Sequence, residues 1–246
     1  MELTECKLQF SICESSKAAV PVIIVAAGSS SRMNGTDKQL LLLDGIPVIA
    51  RTLMAFENNP LISDIILVTK ADNIPKMQLL AEKFAIRKLT DIVGGGNSRE
   101  ESVLCGLKRV GEHCDAVLIH DGARPLVSGT VISGVVSALE KFPAVTCAVP
   151  VKDTIKRVDG DKTVIETPNR SSLYAVQTPQ GVHVKYYLSA VKEAGNSISG
   201  FTDDMSVMEA AGYPVRITEG SYKNIKITTP EDIILAQYIL GSETEE

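Results

Sequence analysis

The chain has 246 residues, of which 44% are hydrophobic and 22% charged, with 18 Gly and 11 Pro. That excludes a disordered chain and fits one large α/β domain, with or without an appendage. A net charge of −5 excludes a general nucleic-acid surface, although an acidic protein can still gather its cations in one phosphate-binding cleft.

The five cysteines, Cys6, Cys13, Cys105, Cys114 and Cys147, are odd in number and form no CxxC pair. They predict a reducing compartment, the cytoplasm, and no structural zinc. His113, His120 and His183 are too far apart for a local metal motif and read as packing or surface residues. No apolar run reaches ~18 residues, so no membrane span is expected. Residues 1–18 lack the basic start and apolar stretch of a signal peptide and read as an extension. Residues 19–246 then read as a single domain, interrupted by a β-arm at about 152–172.

Val22 to Ala27 is an apolar run short enough for a fully buried parallel strand. Gly28, three serines, Arg32 and Lys38 follow it. Small residues let backbone N–H groups close on a bulky anion, and two cations can reach the same anion. The competing reading is an ordinary strand-to-helix turn with two solvated basic side chains. Neither the Walker spacing nor GxGxxG is present.

Leu40 to Leu43 with Asp44-Gly45 reads as a short strand and turn, and Pro47 as the first turn of a helix reaching Asn58. Ile65 to Val68 is a second buried strand, Ile74 to Phe84 a helix, and Ile86 to Val93 a third strand. After Gly94-Gly95-Gly96-Asn97, Ser98 with Glu101 predicts a capping box and a helix to Val110. Ala116 to His120 is a fourth strand, Val131 to Phe142 a helix and Ala144 to Val149 a fifth strand. Strands alternating with helices predict a mainly parallel, doubly wound, Rossmann-like sheet.

The rhythm breaks at Pro150. Asp153 to Val158 and Thr163 to Thr167 flank Asp159-Gly160, a favoured type I′ turn that Asp161 would enlarge. A lone hairpin is marginal, so this one is expected to pack on a second subunit as a dimer arm; the alternative folds it back on its own domain. Val184 to Ala194 is helical, and Thr202 is the expected N-cap of a helix to Ala211. Val215 to Thr218 and Lys223 to Ile227 read as late strands, and Pro230 opens a last helix.

In an open α/β sheet, ligands bind beyond the C-terminal strand ends. Gly28 to Lys38, Gly94 to Ser102, Asp121 to Arg124 and Thr154 all fall there. The glycine run lets a flat pyrimidine lie on the backbone beside the Ser102 hydroxyl, or is simply a flexible connection. Asp121 can meet Mg²⁺ or a ribose hydroxyl, or cap its own turn. Arg124 can pair with a phosphate or with Asp121. Lys226 is either solvated or aimed into the cleft.

Taken in order, these pieces become specific. Ala26-Ala27-Gly28, Arg32-Met33 and Lys38-Gln39 lead to Gly95-Gly96, Arg99, Ser102-Val103 and Gly106-Leu107. Then come His120 to Pro125, Pro150 to Thr154 with Lys156-Arg157, Gln177 to Gln180, Asn224 to Lys226 and Pro230 to Asp232. The ordered set resembles the 2-C-methyl-D-erythritol 4-phosphate cytidylyltransferase family from about Val22 to Leu240.

The resemblance implies transfer from CTP to methylerythritol phosphate with release of pyrophosphate, in non-mevalonate isoprenoid biosynthesis. It assigns catalysis to Arg32, Lys38 and Lys226, with Mg²⁺ on the phosphates and Asp121 as its candidate ligand. Ala26, Ala27, Gly28, Gly96, Asn97, Ser102 and Asp121 would bind the nucleotide. Asp121, Arg124, Thr154, Arg170, Thr178, Thr202 and Lys226 would surround the polyol phosphate. It further implies a homodimer in which the arm lends Thr154 and Arg170 to the neighbouring site. Asp37 stands where the family commonly has proline, which implies a less rigid loop, and Pro168-Asn169 stands where Val-Asp is usual. The rival readings are a ribitol-5-phosphate cytidylyltransferase and a catalytically silent nucleotide-binding module.

Overall fold

A computed structural model describes residues 19–28, 37–111, 114–195 and 200–243. The extension at residues 1–18 and the candidate catalytic Arg32 lie outside the described residues.

Seven strands form the central sheet in the order β11-β7-β10-β6-β1-β4-β5. They are β1 (Val20–Val25), β4 (Ile62–Thr69), β5 (Leu89–Gly94), β6 (Ala116–Asp121), β7 (Ala144–Pro150), β10 (Tyr174–His183) and β11 (Val215–Glu219). β1 pairs in parallel with β4 and β6, β4 with β5, and β11 with β7. A short ribbon of β2 (Leu42–Leu43) and β3 (Ile46–Pro47) leads into α1 (Val48–Glu57). Pro47 thus sits at the N-cap, one position ahead of the expected first turn.

The remaining helices are α2 (Ile74–Lys83), α3 (Arg99–Leu107), α4 (Gly129–Leu139), α5 (Val184–Ala194), α6 (Asp204–Ala210) and α7 (Pro230–Glu243). Strand alternation places successive β1 side chains on opposite faces. Val22 and Ile24 pack in one core with Leu53 and Phe56 of α1 and Val131 and Val135 of α4. Ile23 packs in the other with Val103 of α3, Tyr187 of α5 and Met205 and Met208 of α6. Each large apolar side chain so buried stabilises by roughly 1.5–3 kcal/mol. Two covered faces are the reason the strands read as unbroken apolar runs.

β10 is absent from the sequence reading. It runs antiparallel between β6 and β7, so the sheet is mainly but not wholly parallel. Thr178-Pro179-Gln180-Gly181 looks like a turn because proline cannot donate to a ladder. Here the register with β7 shifts between Val176 and Gln180, and the proline sits within that irregularity.

Lys223 to Ile227 is not a strand; it is an irregular segment held from outside. Ile227 N–H donates to Ala123 O, and Asn224 Nδ2 donates to Thr178 O. Asp203, not Thr202, caps α6: its carboxylate accepts from Ser206 N–H while the Ser206 hydroxyl accepts from Asp203 N–H. Ser98 caps α3 as expected, but Glu101 reaches back to Asn97 N–H instead of its own cap.

The hairpin is present, shorter than expected, with β8 (Arg157–Val158) and β9 (Val164–Glu166) in a sheet of their own. Its loop is larger than a two-residue turn. Asp159 Oδ1 accepts from Asp161 N–H and Thr163 N–H, and the left-handed residue is Lys162 at φ +64°.

Candidate active site

The parallel strands β1, β4, β5 and β6 end on one edge, and their loops pack on one another there. Ala26 N–H donates to Val68 O, and Gly95 N–H donates to Thr69 O. A Cβ on Gly95 would collide with Ala27 and stand 2.7 Å from Ser102 Oγ, so only glycine allows this approach. Ser102 is buried; its hydroxyl donates to Ser98 O and accepts from Gly96 N–H. It therefore braces the Gly95–Asn97 backbone, of which Gly96 and Asn97 are exposed. Gly28, at the mouth of the β1 loop, is exposed.

Lys38 opens a short 3₁₀ turn, Lys38–Leu40, capped by Asp37. Asp37 Oδ1 accepts from Gln39 N–H at 3.1 Å and its Oδ2 accepts from Asn73 Nδ2 at 2.6 Å. The aspartate in place of proline thus anchors the loop to the lead-in of α2, by hydrogen bonds where proline would fix φ. Gln39 is buried, and its Oε1 lies 3.2 Å from where a Cβ on Gly122 would stand. The loop carrying Lys38 therefore closes against the β6 end that carries Asp121.

Asp121 is the electrostatic centre. Lys226 Nζ stands 2.7 Å and Arg124 Nε 3.6 Å from its Oδ2, while Arg99 Nε stands 3.5 Å from its Oδ1. Burial would raise this carboxyl, but Lys226, Arg99 and Arg124 outweigh it and hold it well below the ordinary range. Because Arg99 also pairs with Asp204, two carboxylates face three cations, and the remaining excess of positive charge suits a phosphate-rich ligand.

Arg99 belongs to the sequence pattern, which gives it no role. Its Nη1 pairs with Asp204 at 2.8 Å, and Tyr187 Oη donates to the same carboxylate at 2.7 Å. Burial would lower the guanidinium pKa; Asp204 and Asp121 more than reverse this, so Arg99 stays charged. Arg99 thus ties the start of α6, just after Thr202, to the strand-end carboxylate. No sequence spacing announces this link, because it joins residues about a hundred positions apart.

Thr178 is buried on β10. Its hydroxyl accepts from Asp121 N–H at 3.1 Å and meets His120 Nδ1 at 3.0 Å. A hydroxyl that accepts the amide proton can give its own to the imidazole. That assigns an unprotonated Nδ1 and an Nε2–H donating to Arg124 O at 3.2 Å. His120 is fully buried, packs edge-on against Phe56, and is a packing residue as expected. Burial pushes its pKa down to about 3.

A pH dependence follows. Folded His120 stays neutral down to about pH 3, whereas its ordinary value is 6.5. Between these values the unfolded chain binds one more proton, so stability falls as pH drops, by up to about 1.4 kcal/mol per pH unit. Urea unfolding at stepped pH should show a shallower slope for His120→Gln than for the parent between pH 6.5 and 4. Equal slopes would assign the acid sensitivity elsewhere.

The described site thus brings together Ala26, Ala27, Gly96, Ser102, Asp121, Arg124, Thr178 and Lys226, with Arg99 added. Three expected residues are exposed. Thr154 and Arg170 are exposed on the arm, where Arg170 Nη1 donates to Lys152 O at 2.6 Å. Thr202 is exposed ahead of α6.

Comparison with known proteins decides the family. The family model described as IspD, 2-C-methyl-D-erythritol 4-phosphate cytidylyltransferase, matches residues 20–242. The chain belongs to this family. A 2-C-methyl-D-erythritol 4-phosphate cytidylyltransferase of Alkaliphilus metalliredigens is 42% identical over 92% of this chain and 95% of the relative. One from Halalkalibacterium halodurans is 44% identical over 90% and 97%. Among solved structures, 4-diphosphocytidyl-2C-methyl-D-erythritol synthase from Anaerococcus prevotii has a TM-score of 0.82 at 34% identity, covering 92% and 97% of the two chains. The cytidylyltransferase of Thermus thermophilus has a TM-score of 0.73 at 28% identity, covering 89% and 98%. These relatives are nucleotidyltransferases by name, and the mostly parallel sheet with flanking helices is the fold they share with this chain.

Proposed function

We propose that this chain joins CTP and 2-C-methyl-D-erythritol 4-phosphate, giving CDP-methylerythritol and pyrophosphate, in the cytoplasm. The observation that carries the reading is the cation cluster of Arg99, Arg124 and Lys226 around Asp121, beside a glycine loop packed on Ala27. A phosphate oxygen of the polyol attacks the α-phosphorus of CTP, a new P–O bond forms, and the bond to the β-phosphate breaks. No covalent enzyme intermediate is needed, so positioning and charge neutralisation do the catalysis.

Cytosine lies on the Gly94–Asn97 backbone, and Ala26 to Gly28 hold the nucleotide from the β1 side. Arg32 and Lys38 grip the triphosphate. Lys226 leaves Asp121 for a phosphate oxygen as the substrate enters. Arg124, Thr178 and Thr202, with Thr154 and Arg170 from the arm, hold the polyol phosphate.

Among the described residues no three His, Cys, Asp or Glu side chains converge to cage a metal. Asp121 offers one ionised carboxylate, and its Oδ1 has only the longer contact with Arg99. That fits Mg²⁺ in its usual mode, one or two carboxylates with substrate phosphates and water. When bound, the ion neutralises charge on the phosphates.

The arm supports a homodimer. Ile155, Val158, Val164 and Ile165 on it are 40%, 44%, 53% and 53% exposed, and a two-stranded ribbon cannot bury them by itself. A second copy covers them.

Pyrophosphate release tests the reading. CTP with methylerythritol phosphate should support turnover, ATP and GTP should be poor, and ribitol 5-phosphate should be the worse acceptor. Faster turnover with ribitol 5-phosphate would favour that rival, equal use of ATP would misplace the base pocket, and no release would favour a silent binding module.

A further inference from the structure

The segment 221–227 carries Lys226 without belonging to the sheet, so something must fix it. Part of the answer is the core edge. Gln177 Nε2 donates to Ser221 O at 2.8 Å, Ser221 N–H donates to Gln177 Oε1 at 3.2 Å, and Arg124 Nη1 donates to Asn224 O at 2.7 Å. The other part is Tyr222, which faces the arm. Its Oη donates to Pro150 O at 2.7 Å, where β7 ends and the arm begins. The Lys152 ammonium stands over its ring, 3.6 Å from the centroid. Lys152 is also the residue whose carbonyl accepts from Arg170 at 2.6 Å.

Tyr222 therefore touches the root of the arm on one side. On the other, it sits in the turn that Asn224 N–H closes on Ser221 O, three residues before Ile225 and four before Lys226. The ring is 48% exposed, so its burial contributes little to the core; its contacts are instead specific ones to the arm.

We propose that Tyr222 is a positioning residue that links the root of the arm to Lys226, so that seating of the arm sets where the lysine stands. The inference rests on the reading that Lys226 acts on a substrate phosphate. It makes turnover depend on two contacts that never reach the substrate. It also gives a physical route by which a partner subunit that braces the arm improves Lys226 in the subunit that bears it.

A mutant cycle tests it, using kcat and KM for methylerythritol phosphate on the full chain. Tyr222→Ala should lower kcat about 10-fold, and Tyr222→Phe, which keeps the ring under Lys152, less than that. Lys152→Met should give a small loss that does not add to that of Tyr222→Ala. In a Lys226→Ala background, Tyr222→Ala should cost nothing further, because the lysine it positions is gone. A purely structural role predicts the same loss in both backgrounds, and that result overturns the proposal, as does unchanged turnover in Tyr222→Ala. If Tyr222→Ala fails to fold, the same cycle runs on Tyr222→Phe and Lys152→Met, with the same two outcomes. If Lys226→Ala itself turns over normally, the role assigned to Lys226 is wrong and the inference falls with it; loss there with additive loss at Tyr222 overturns only the inference.

Discussion

Lys38→Ala should lower kcat by ~10²-fold or more, as expected for loss of one preorganised donor to a developing charge. The lysine opens the 3₁₀ turn that Asp37 caps, on the loop that closes against the Asp121 strand end. Its side chain is only partly buried, so the melting temperature should stay near the parent's. Turnover close to normal would remove Lys38 from the mechanism. Asp37 provides an internal control, since its ties to Gln39 N–H and Asn73 hold the turn itself. Asp37→Ala should therefore cost less than Lys38→Ala, and Asp37→Asn, which can still cap, less again.

What the sequence revealed and what it hid follow from the physics of each element. Val22 to Val25 and Ile65 to Val68 were legible because strands covered on both faces are apolar at every position. The loops after them were legible because ligand edges of such sheets lie at known strand ends. β10 was hidden by Pro179, a residue that argues against a strand unless the pairing is irregular there. The residues around Lys226 leave it either solvated or aimed into the cleft, because segment 221–227 is no strand and has no alternation to read. Hydrogen bonds from Arg124, Asn224 and Ile227 direct it instead. Arg99 and Asp204 were hidden for another reason. Their pairing joins α3 to α6, and a long-range ion pair leaves no local periodicity to read.

Mixing two slow variants should restore activity that neither has alone. The reasoning starts from the arm. Arg170 is exposed, bonded to Lys152 O, and opens the short turn after a ribbon whose apolar residues Val158, Val164 and Ile165 are also exposed. Burying them against a second copy makes a closed two-fold dimer, the commonest assembly. If Arg170 then acts in the partner's site, each site takes Lys38 from one subunit and Arg170 from the other. Lys38→Ala and Arg170→Ala homodimers each carry one defect in both sites and should be slow. In a mixed dimer one site inherits both defects, while the other has Lys38 and Arg170 intact. Random exchange places one intact site in half the dimers, so about a quarter of the parental turnover should return. Subunit exchange is checked separately, by mass spectrometry of differently tagged chains. Mixed dimers that form without recovered turnover would mean that each subunit keeps its own Arg170, and a fully active monomer at assay concentration would remove the arm from the site altogether.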